Sequence, residues 1–206
     1  MAKYSMTTTT EAGLAEKVRA DQRTRIEAIR ANRNLSPEGK KAQIARIYLE
    51  SKNEVAKLEK QEAANRKARI NDIRKEVFGL NGYQTSQDVI SYRDAQDRVA
   101  ALGINDEEKA LALYDRAELS GDSILAAALV NRALEAGWVN LANTYIEANP
   151  YKGEKVEELW ELQQATAGNS VQEQIVNSTV FHIQKPSELD SARLDSQIET
   201  IANSAD

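Results

Sequence analysis

The stretch KLEKQEAANRKARINDI, residues 57–73, decides how this 206-residue sequence is organised. It lies inside a longer pattern typical of one helix, yet between Leu58 and Ile70 it contains nothing more apolar than alanine. Before it, an apolar seam follows the 4-3-4-3 spacing of coiled-coil packing at Ile44, Tyr48, Ser51, Val55 and Leu58. After it, apolar residues resume at Ile70, Ile73 and Val77.

The limits of this long helix follow from its flanking residues. Pro37 suits a first helical position, and Ser36 before it is a good N-cap. Gly79 is a suitable C-terminal stop, so the pattern predicts a helix over 37–78, roughly 60 Å long. An earlier helix is predicted from apolar residues at near-helical spacing, namely Leu14, Val18, Ile26 and Ile29.

Folding the first helix back on the second predicts a helical hairpin. The first helix has about twenty residues, so we expect it to cover the second only to about Leu58. The charged stretch would then form a bare helical arm, held by helix propensity alone. The apolar face that resumes at Ile70 is rotated by roughly 60° and should meet the following domain. Alternatively, the whole helix pairs with a second copy of itself.

Composition favours an all-α protein, because turn-forming residues are few (9 Gly and 3 Pro) and 29% of residues are charged. We predict an N-terminal hairpin with one long helix, a small array of antiparallel helix pairs, and an extended tail with a short terminal helix. The predicted segments are a disordered start (1–12), the hairpin and arm (13–79), a linker (80–85), the array (86–166) and the tail (167–206), with a candidate strand over 178–185 and a helix over 187–202.

The array contains a faint repeat. The pattern Ala110-x3-Tyr114-x2-Ala117 recurs 31 residues later with leucine, tyrosine and alanine at Leu141, Tyr145 and Ala148. Together with the helix-pair layout, this resembles tetratricopeptide arrays, although the period differs and the full Trp/Gly/Pro signature is lacking. We expect these positions to form core.

Residues suited to chemistry are scarce. The sequence has no cysteine and one histidine, His182, which lies in the β-prone tail. The acidic groups at 106–108 and 157–161 are interpreted as a helix first turn and an exposed helix face. We predict no catalytic, cofactor-binding or metal-binding residue, and a non-enzymatic protein. The start lacks the apolar core of a signal peptide, and the longest apolar run, ILAAALV, is too short to span a bilayer.

Charge is distributed unevenly along the chain. Residues 1–78 carry 18 Lys and Arg against 11 Asp and Glu, whereas residues 79–206 carry 9 against 21. This asymmetry is consistent with head-to-tail self-association, with an anionic partner for the basic half, or simply with two solvated helical surfaces of different composition. The basic residues of 60–75 suggest nucleic-acid binding as an alternative function, but interleaved acids and the absence of aromatic residues count against it. The predicted partner-binding residues are Arg66, Lys67, Arg69, Val180, Phe181, Ile183, Leu194, Ile198 and Ile201.

Three stretches carry a resemblance to a known group: LSPEGKKAQIARIYLESKNEVAKLEKQE, ALYDRAELSGDSILAAALVNRALEAGW and FHIQKPSEL. With the Thr-rich start, they resemble small helical virion and assembly proteins of tailed phages that infect actinobacteria. The resemblance implies a non-enzymatic assembly role in head or connector morphogenesis, with capsid, portal or tail proteins as partners, self-association, and a location in the host cytoplasm or virion. The acidic character of residues 187–206 departs from the basic coat-binding helix of phage scaffolds. The alternative is a cellular adaptor that binds a peptide in the groove of its tetratricopeptide-like array.

Overall fold

The computed structural model describes residues 5–80, 85–167 and 171–204, and the described chain is all-helical. Nine α-helices occur in these ranges: α1 (Thr10–Ala31), α2 (Pro37–Phe78), α3 (Ser86–Ala100), α4 (Glu107–Ser120), α5 (Ser123–Ala136), α6 (Val139–Ala148), α7 (Pro150–Ala167), α8 (Val171–Val180) and α9 (Asp195–Ala202). Single-turn 3-10 helices lie at Met6–Thr8 and Ser187–Leu189. The all-α prediction is confirmed.

The chain forms two compact units. The array unit is Arg66–Ala167, and the hairpin–tail unit combines Ser5–Asn65 with the chain that follows Ala167. The array unit is therefore inserted into the sequence of the hairpin–tail unit. Helix α2 contributes its residues up to Asn65 to one unit and its residues from Arg66 to the other.

The hairpin–tail unit buries the predicted seam of α2 against α1. Ile44, Tyr48 and Val55 share one core with Ala15 and Ile26 of α1. The N-cap of α2 is also confirmed, because Ser36 Oγ accepts a hydrogen bond from the Gly39 N–H at 3.0 Å. The face of α1 differs from the prediction, since Leu14 is 40% exposed, whereas Ala15 and Gln22 are buried.

The tail supplies the rest of this core. Ile183, Leu189, Ala192, Ile198 and Ala202 are buried in the same cluster as the hairpin residues. Two ion pairs join the tail to the hairpin: Arg30 Nε lies 2.7 Å from Glu188 Oε1, and Lys52 Nζ lies 2.6 Å from Asp195 Oδ2. The tail thus packs on its own chain.

The candidate strand over 178–185 is wrong. Helix α8 runs through Val180, and residues 182–186 have no regular secondary structure. A strand needs a partner strand, and the described chain provides none. Val180 and Ile183 are instead buried against helices of the same unit. The helix predicted over 187–202 is also interrupted, because only Ser187–Leu189 and Asp195–Ala202 are helical.

The disordered start is wrong for the described residues 5–12. Met6–Thr8 form a 3-10 turn, and α1 begins at Thr10, three residues before the predicted limit. The hydroxyl of Thr9 accepts a hydrogen bond from the Ala12 N–H at 3.2 Å, so this threonine caps the helix. Residues 1–4 lie outside the described chain.

The bare arm is also corrected. Residues 59–69 are helical and mostly exposed, but Glu62 is only 3% exposed, and Asn65 Nδ2 donates to Glu11 Oε1 at 2.8 Å. The earlier start of α1 therefore extends its contact with α2 from Leu58 to Asn65. From Arg66 onward the same helix belongs to the array unit, where Arg66 and Arg69 contact residues of α7.

The array unit is built from the end of α2 and helices α3–α7. As predicted, Ile70, Ile73 and Val77 join the core of the domain that follows. Helix α4 packs on α5 and α6, and α6 packs on α7. The two tyrosines of the repeat meet in this core, where the rings of Tyr114 and Tyr145 make an edge contact with centroids 6.4 Å apart. Burial raises the pKa of Tyr114 to about 12.

Glycines end several helices, for two different reasons. Gly121 and Gly137 terminate α4 and α5 in the left-handed region, with φ of 69° and 79°. Gly79 ends α2 without a positive φ, but a Cβ there would lie 2.4 Å from the Lys75 carbonyl oxygen. The predicted linker 80–85 lies mainly outside the described residues, and Thr85 at its end caps α3 in a capping box with Asp88.

Candidate functional site: an apolar groove on the array unit

A groove of about 400 Å³ lies along the surface of α6 and α7 in the array unit. We call it the α6–α7 groove. Its apolar lining consists of Leu134, Val139, Ala142, Ile146, Val156 and Trp160, and its polar lining consists of Asn143, Glu157 and Glu161. Open sites of this size with a mostly apolar lining and a few polar groups are typical of binding sites.

A carboxylate from another helix fixes the start of α6. Trp138 precedes α6 and provides no side-chain cap, but Glu107 Oε1 accepts hydrogen bonds from the N–H groups of Asn140 (2.8 Å) and Leu141 (3.4 Å). The negative charge also suits the positive end of the helix dipole. Glu107, which the sequence places in the first turn of α4, thus positions the wall of the groove formed by α6.

Trp138 itself is anchored to the loop before α4. Its indole Nε1 donates to the Ile104 carbonyl oxygen at 2.6 Å, and the Arg132 guanidinium lies 5.8 Å from the ring centroid. Arg132 also donates to the Leu102 carbonyl oxygen at 3.1 Å. These contacts hold the end of α5, which contributes Leu134 to the groove.

A tight connection sets the spacing of α6 and α7. Only Asn149 separates the two helices, and Pro150 begins α7 at the position that proline favours. At Gly153 a Cβ would lie 3.0 Å from Ile146 Cγ2 and 3.3 Å from the Ile146 carbonyl oxygen. Glycine at this position therefore allows α7 to approach α6 closely beneath the groove.

The lining leaves apolar surface accessible. Val139 is 51% exposed, and Ile146 and Trp160 are half-buried against the core. Glu157 is exposed on α7, and Glu161 follows one turn later. Among the lining residues that the structure describes, two of nine are acidic and none is a lysine or arginine. The groove therefore presents an apolar floor with an anionic edge.

The predicted basic residues lie elsewhere in the array unit. Arg69 Nε and Nη2 donate to the two carboxylate oxygens of Glu158, both at 2.7 Å, and this pairing raises the pKa of Arg69. Arg66 Nη1 lies 3.4 Å from the Ala165 carbonyl oxygen, and Lys67 is exposed. A second cavity beside them, lined by Arg69, Pro150, Tyr151, Glu154, Lys155 and Glu158, also has its cations paired, because Lys155 contacts Glu76.

The predicted apolar partner residues of the tail are brought together, but mostly inside their own unit. Ile183 and Ile198 are buried in the hairpin–tail core, and Phe181 and Ile201 pack partly buried against it. Val180 is buried, and its carbonyl oxygen accepts a hydrogen bond from Arg19. Leu194 differs, with 63% of its surface exposed.

The sequence predicts an exposed helix face for the acids at 157–161 and does not predict the groove beside them. The signal that could have indicated the groove is Trp160, an aromatic residue that lies between Glu157 and Glu161 on the same helix.

Neither metal-binding clusters nor matches to known proteins identify another site. In the described ranges, no group of three or more acidic or histidine side chains could hold a metal ion. None of the helices described is long and apolar enough to cross a membrane. Comparisons with protein-family models, curated proteins and solved structures gave no match.

Proposed function

We propose that this protein is a non-enzymatic assembly component that acts through protein–protein contacts, with the α6–α7 groove as a contact surface. The observation that carries the proposal is the accessible apolar floor at Val139, Ile146 and Trp160. Exposed apolar clusters with a polar edge mark interaction sites on protein surfaces. The resemblance to phage virion proteins supports particle morphogenesis as the setting, with capsid, portal or tail proteins as partners.

The main alternative, a cellular adaptor, would use the same groove. The two functions differ in the partner and in stoichiometry. An assembly component self-associates or copurifies with particle proteins, whereas an adaptor remains a monomer and binds a segment of a cellular protein. Light scattering of the purified chain and copurification from particle-producing cells separate the two.

Nucleic-acid binding through residues 60–75 has less support. Two of its arginines are engaged by acids of the array unit: Arg69 with Glu158, and Arg74 Nη2 with Glu135 Oε1 at 3.1 Å. A phosphate would have to displace these carboxylates. Retention on DNA at low salt is the test, and strong, salt-sensitive retention would favour this function.

Site-specific photocrosslinking tests the proposed function directly. A photoreactive amino acid at Val139 should crosslink to particle proteins in cells that assemble particles. The matched control position is Leu119 on α4, which is 89% exposed but does not line the groove. Equal crosslinking at both positions, or a monomer that copurifies with no particle protein, would contradict the proposal.

A further inference from the structure

We infer that the occupant of the α6–α7 groove is a basic amphipathic helix of a partner protein. This inference rests on the proposed function and specifies the partner. It follows from three features of the groove: the arrangement of its apolar residues, the charge of its edge, and the composition of the surrounding array.

The apolar floor suits a helix. Val139 and Ile146 lie seven residues apart on α6, a separation of about 10 Å along the helix axis. Apolar residues at i, i+3, i+4 and i+7 of a partner helix span about the same length. Such a helix could lay its apolar face on α6 while Trp160 on α7 packs against its side, as amphipathic helices do in apolar grooves.

The negative charge at the edge of the groove favours a positively charged helix. Glu157 is exposed at this edge, and a lysine or arginine on a partner helix could form an ion pair with it. No cation among the lining residues competes for Glu157, and an acidic helix would meet like charge.

The net charge of the array unit around the groove also favours a basic occupant. Residues 66–167 of the array unit carry 12 Lys and Arg against 17 Asp and Glu. The resulting negative field draws cationic segments toward the array and increases the rate of their association.

The occupant is a different protein. The most basic helical stretches of this chain, residues 66–75 and 17–26, bury their isoleucines Ile70, Ile73 and Ile26 in the two cores, so in a second copy these residues would offer no anchor for the floor. The apolar face of α9, which could anchor, is buried in the hairpin–tail core through Ile198 and Ala202.

Two synthetic helical peptides test this inference on the full chain. Both are about five turns long and share one leucine seam, but one carries lysine and the other glutamate beside the seam. Fluorescence anisotropy of labelled peptides gives the affinities. The lysine peptide should bind at least about tenfold more tightly than the glutamate peptide.

Charge-reversal variants locate the effect. Glu157→Lys should weaken binding of the lysine peptide about tenfold. The matched control is Glu154→Lys, an exposed glutamate of the same helix that does not line the groove and should leave the affinity within about twofold. Val139→Asp should weaken binding of both peptides. Circular dichroism confirms that each variant remains folded.

The outcomes separate this inference from the proposed function. Equal affinity for the two peptides, with loss in Val139→Asp, would overturn the basic occupant and leave the groove as a contact surface. Binding of neither peptide, or equal weakening by Glu157→Lys and Glu154→Lys, would also overturn the inference. The proposed function is judged independently by crosslinking at Val139.

Discussion

The two units of this protein build their cores in different ways. In the array unit, helices α3–α7 pack on a neighbour or on the next helix along, and the end of α2 adds contacts with α5 and α7. The hairpin–tail unit instead joins Ile26 and Ile44 to Ile183 and Ile198, which lie more than a hundred residues later in the sequence. Helices close in sequence form most of the first core, whereas the second core needs both ends of the chain.

The cores also differ in polarity. The buried polar residues of the described chain, Gln22, Ser51 and Glu62, all belong to the hairpin–tail unit. Its hairpin, residues 5–65, carries 12 Lys and Arg against 9 Asp and Glu, whereas residues 168–206 carry 2 against 6. The charge asymmetry seen along the sequence is thus partly matched within the unit, as at Arg30–Glu188 and Lys52–Asp195. The tail therefore completes the core of the hairpin and carries a net charge opposite to that of the hairpin.

The largest expected effect comes from removing a tail side chain. Leu189 is 0% exposed, so Leu189→Ala should lower the free energy of unfolding by about 2–5 kcal/mol. If the tail completes the hairpin core, hydrogen exchange should accelerate in α1 and the first half of α2 more than in α3–α7.

The counterpart substitution is Leu129→Ala in the array, where Leu129 is also 0% exposed. This substitution should lower the free energy of unfolding by a similar amount, but it should accelerate hydrogen exchange in α3–α7. Identical exchange patterns for the two variants would show that the chain unfolds as one cooperative body, and the comparison of the two units would fail.

An intermediate effect is expected at the cap of α6. Glu107→Ala removes the acceptor of the Asn140 and Leu141 N–H groups and should cost about 0.5–2 kcal/mol. Urea unfolding measures the loss in the free energy of unfolding, and hydrogen exchange of the first α6 amides shows whether the loss arises at this cap. The control is Glu108→Ala, an exposed neighbour in the same helical turn, which should change stability by less than about 0.5 kcal/mol.

A stabilising change is expected in the hairpin. Gln22 is 4% exposed, and its Nε2 has no hydrogen-bond partner. Gln22→Leu keeps the size and removes the buried polar group, so it should raise the free energy of unfolding by about 1 kcal/mol. The same change at exposed Gln61 serves as the control and should give no gain. Destabilisation by Gln22→Leu would show that the amide has a structural role.

The smallest effect concerns the pH dependence of the tail contact. The hydrogen bond from Arg30 lowers the pKa of Glu188 from 4.5 to about 2. Because the folded-state pKa is depressed, the pair stabilises the protein above pH 4.5, and this contribution disappears as pH falls toward 2. Both side chains are partly exposed, at 39% and 28%, so solvent limits the contribution to about 1 kcal/mol.

The matched variant Glu188→Gln isolates this contribution. Wild type should exceed the variant in the free energy of unfolding at pH 7, and the two should converge near pH 2. A difference that persists at pH 2 would mean that the glutamine, and not the lost charge, causes the effect.

Several elements could be predicted because their determinants are local. The limits of α2 follow from Ser36 and Pro37 at one end and Gly79 at the other, and the structure has the helix at Pro37–Phe78. Gly121 and Gly137 likewise end α4 and α5, and Asp122 caps α5 through the Leu125 N–H. Such signals act within one helical turn, so the sequence expresses them directly.

The errors arose where distant residues decide the outcome. The β-prone residues before Lys185 predicted a strand, but no strand partner exists among the described residues, and helices cover their side chains. The reach of α1 is an exception, because the cap at Thr9 that extends this helix toward the N-terminus is itself a local signal. The groove was missed because its floor combines α5, α6 and α7 side chains that each resemble ordinary core.

The sequence by itself determined the all-helical class, the limits of α2 and the division of α2 into two apolar faces, since propensity, capping and periodicity are local properties of the chain. Tertiary structure alone decided that the tail completes the hairpin, that Glu107 caps a helix 33 residues away, and that an apolar groove stays open beside Trp160. The physical reason is that burial depends on which surfaces meet, and chain entropy allows many such pairings until packing selects one.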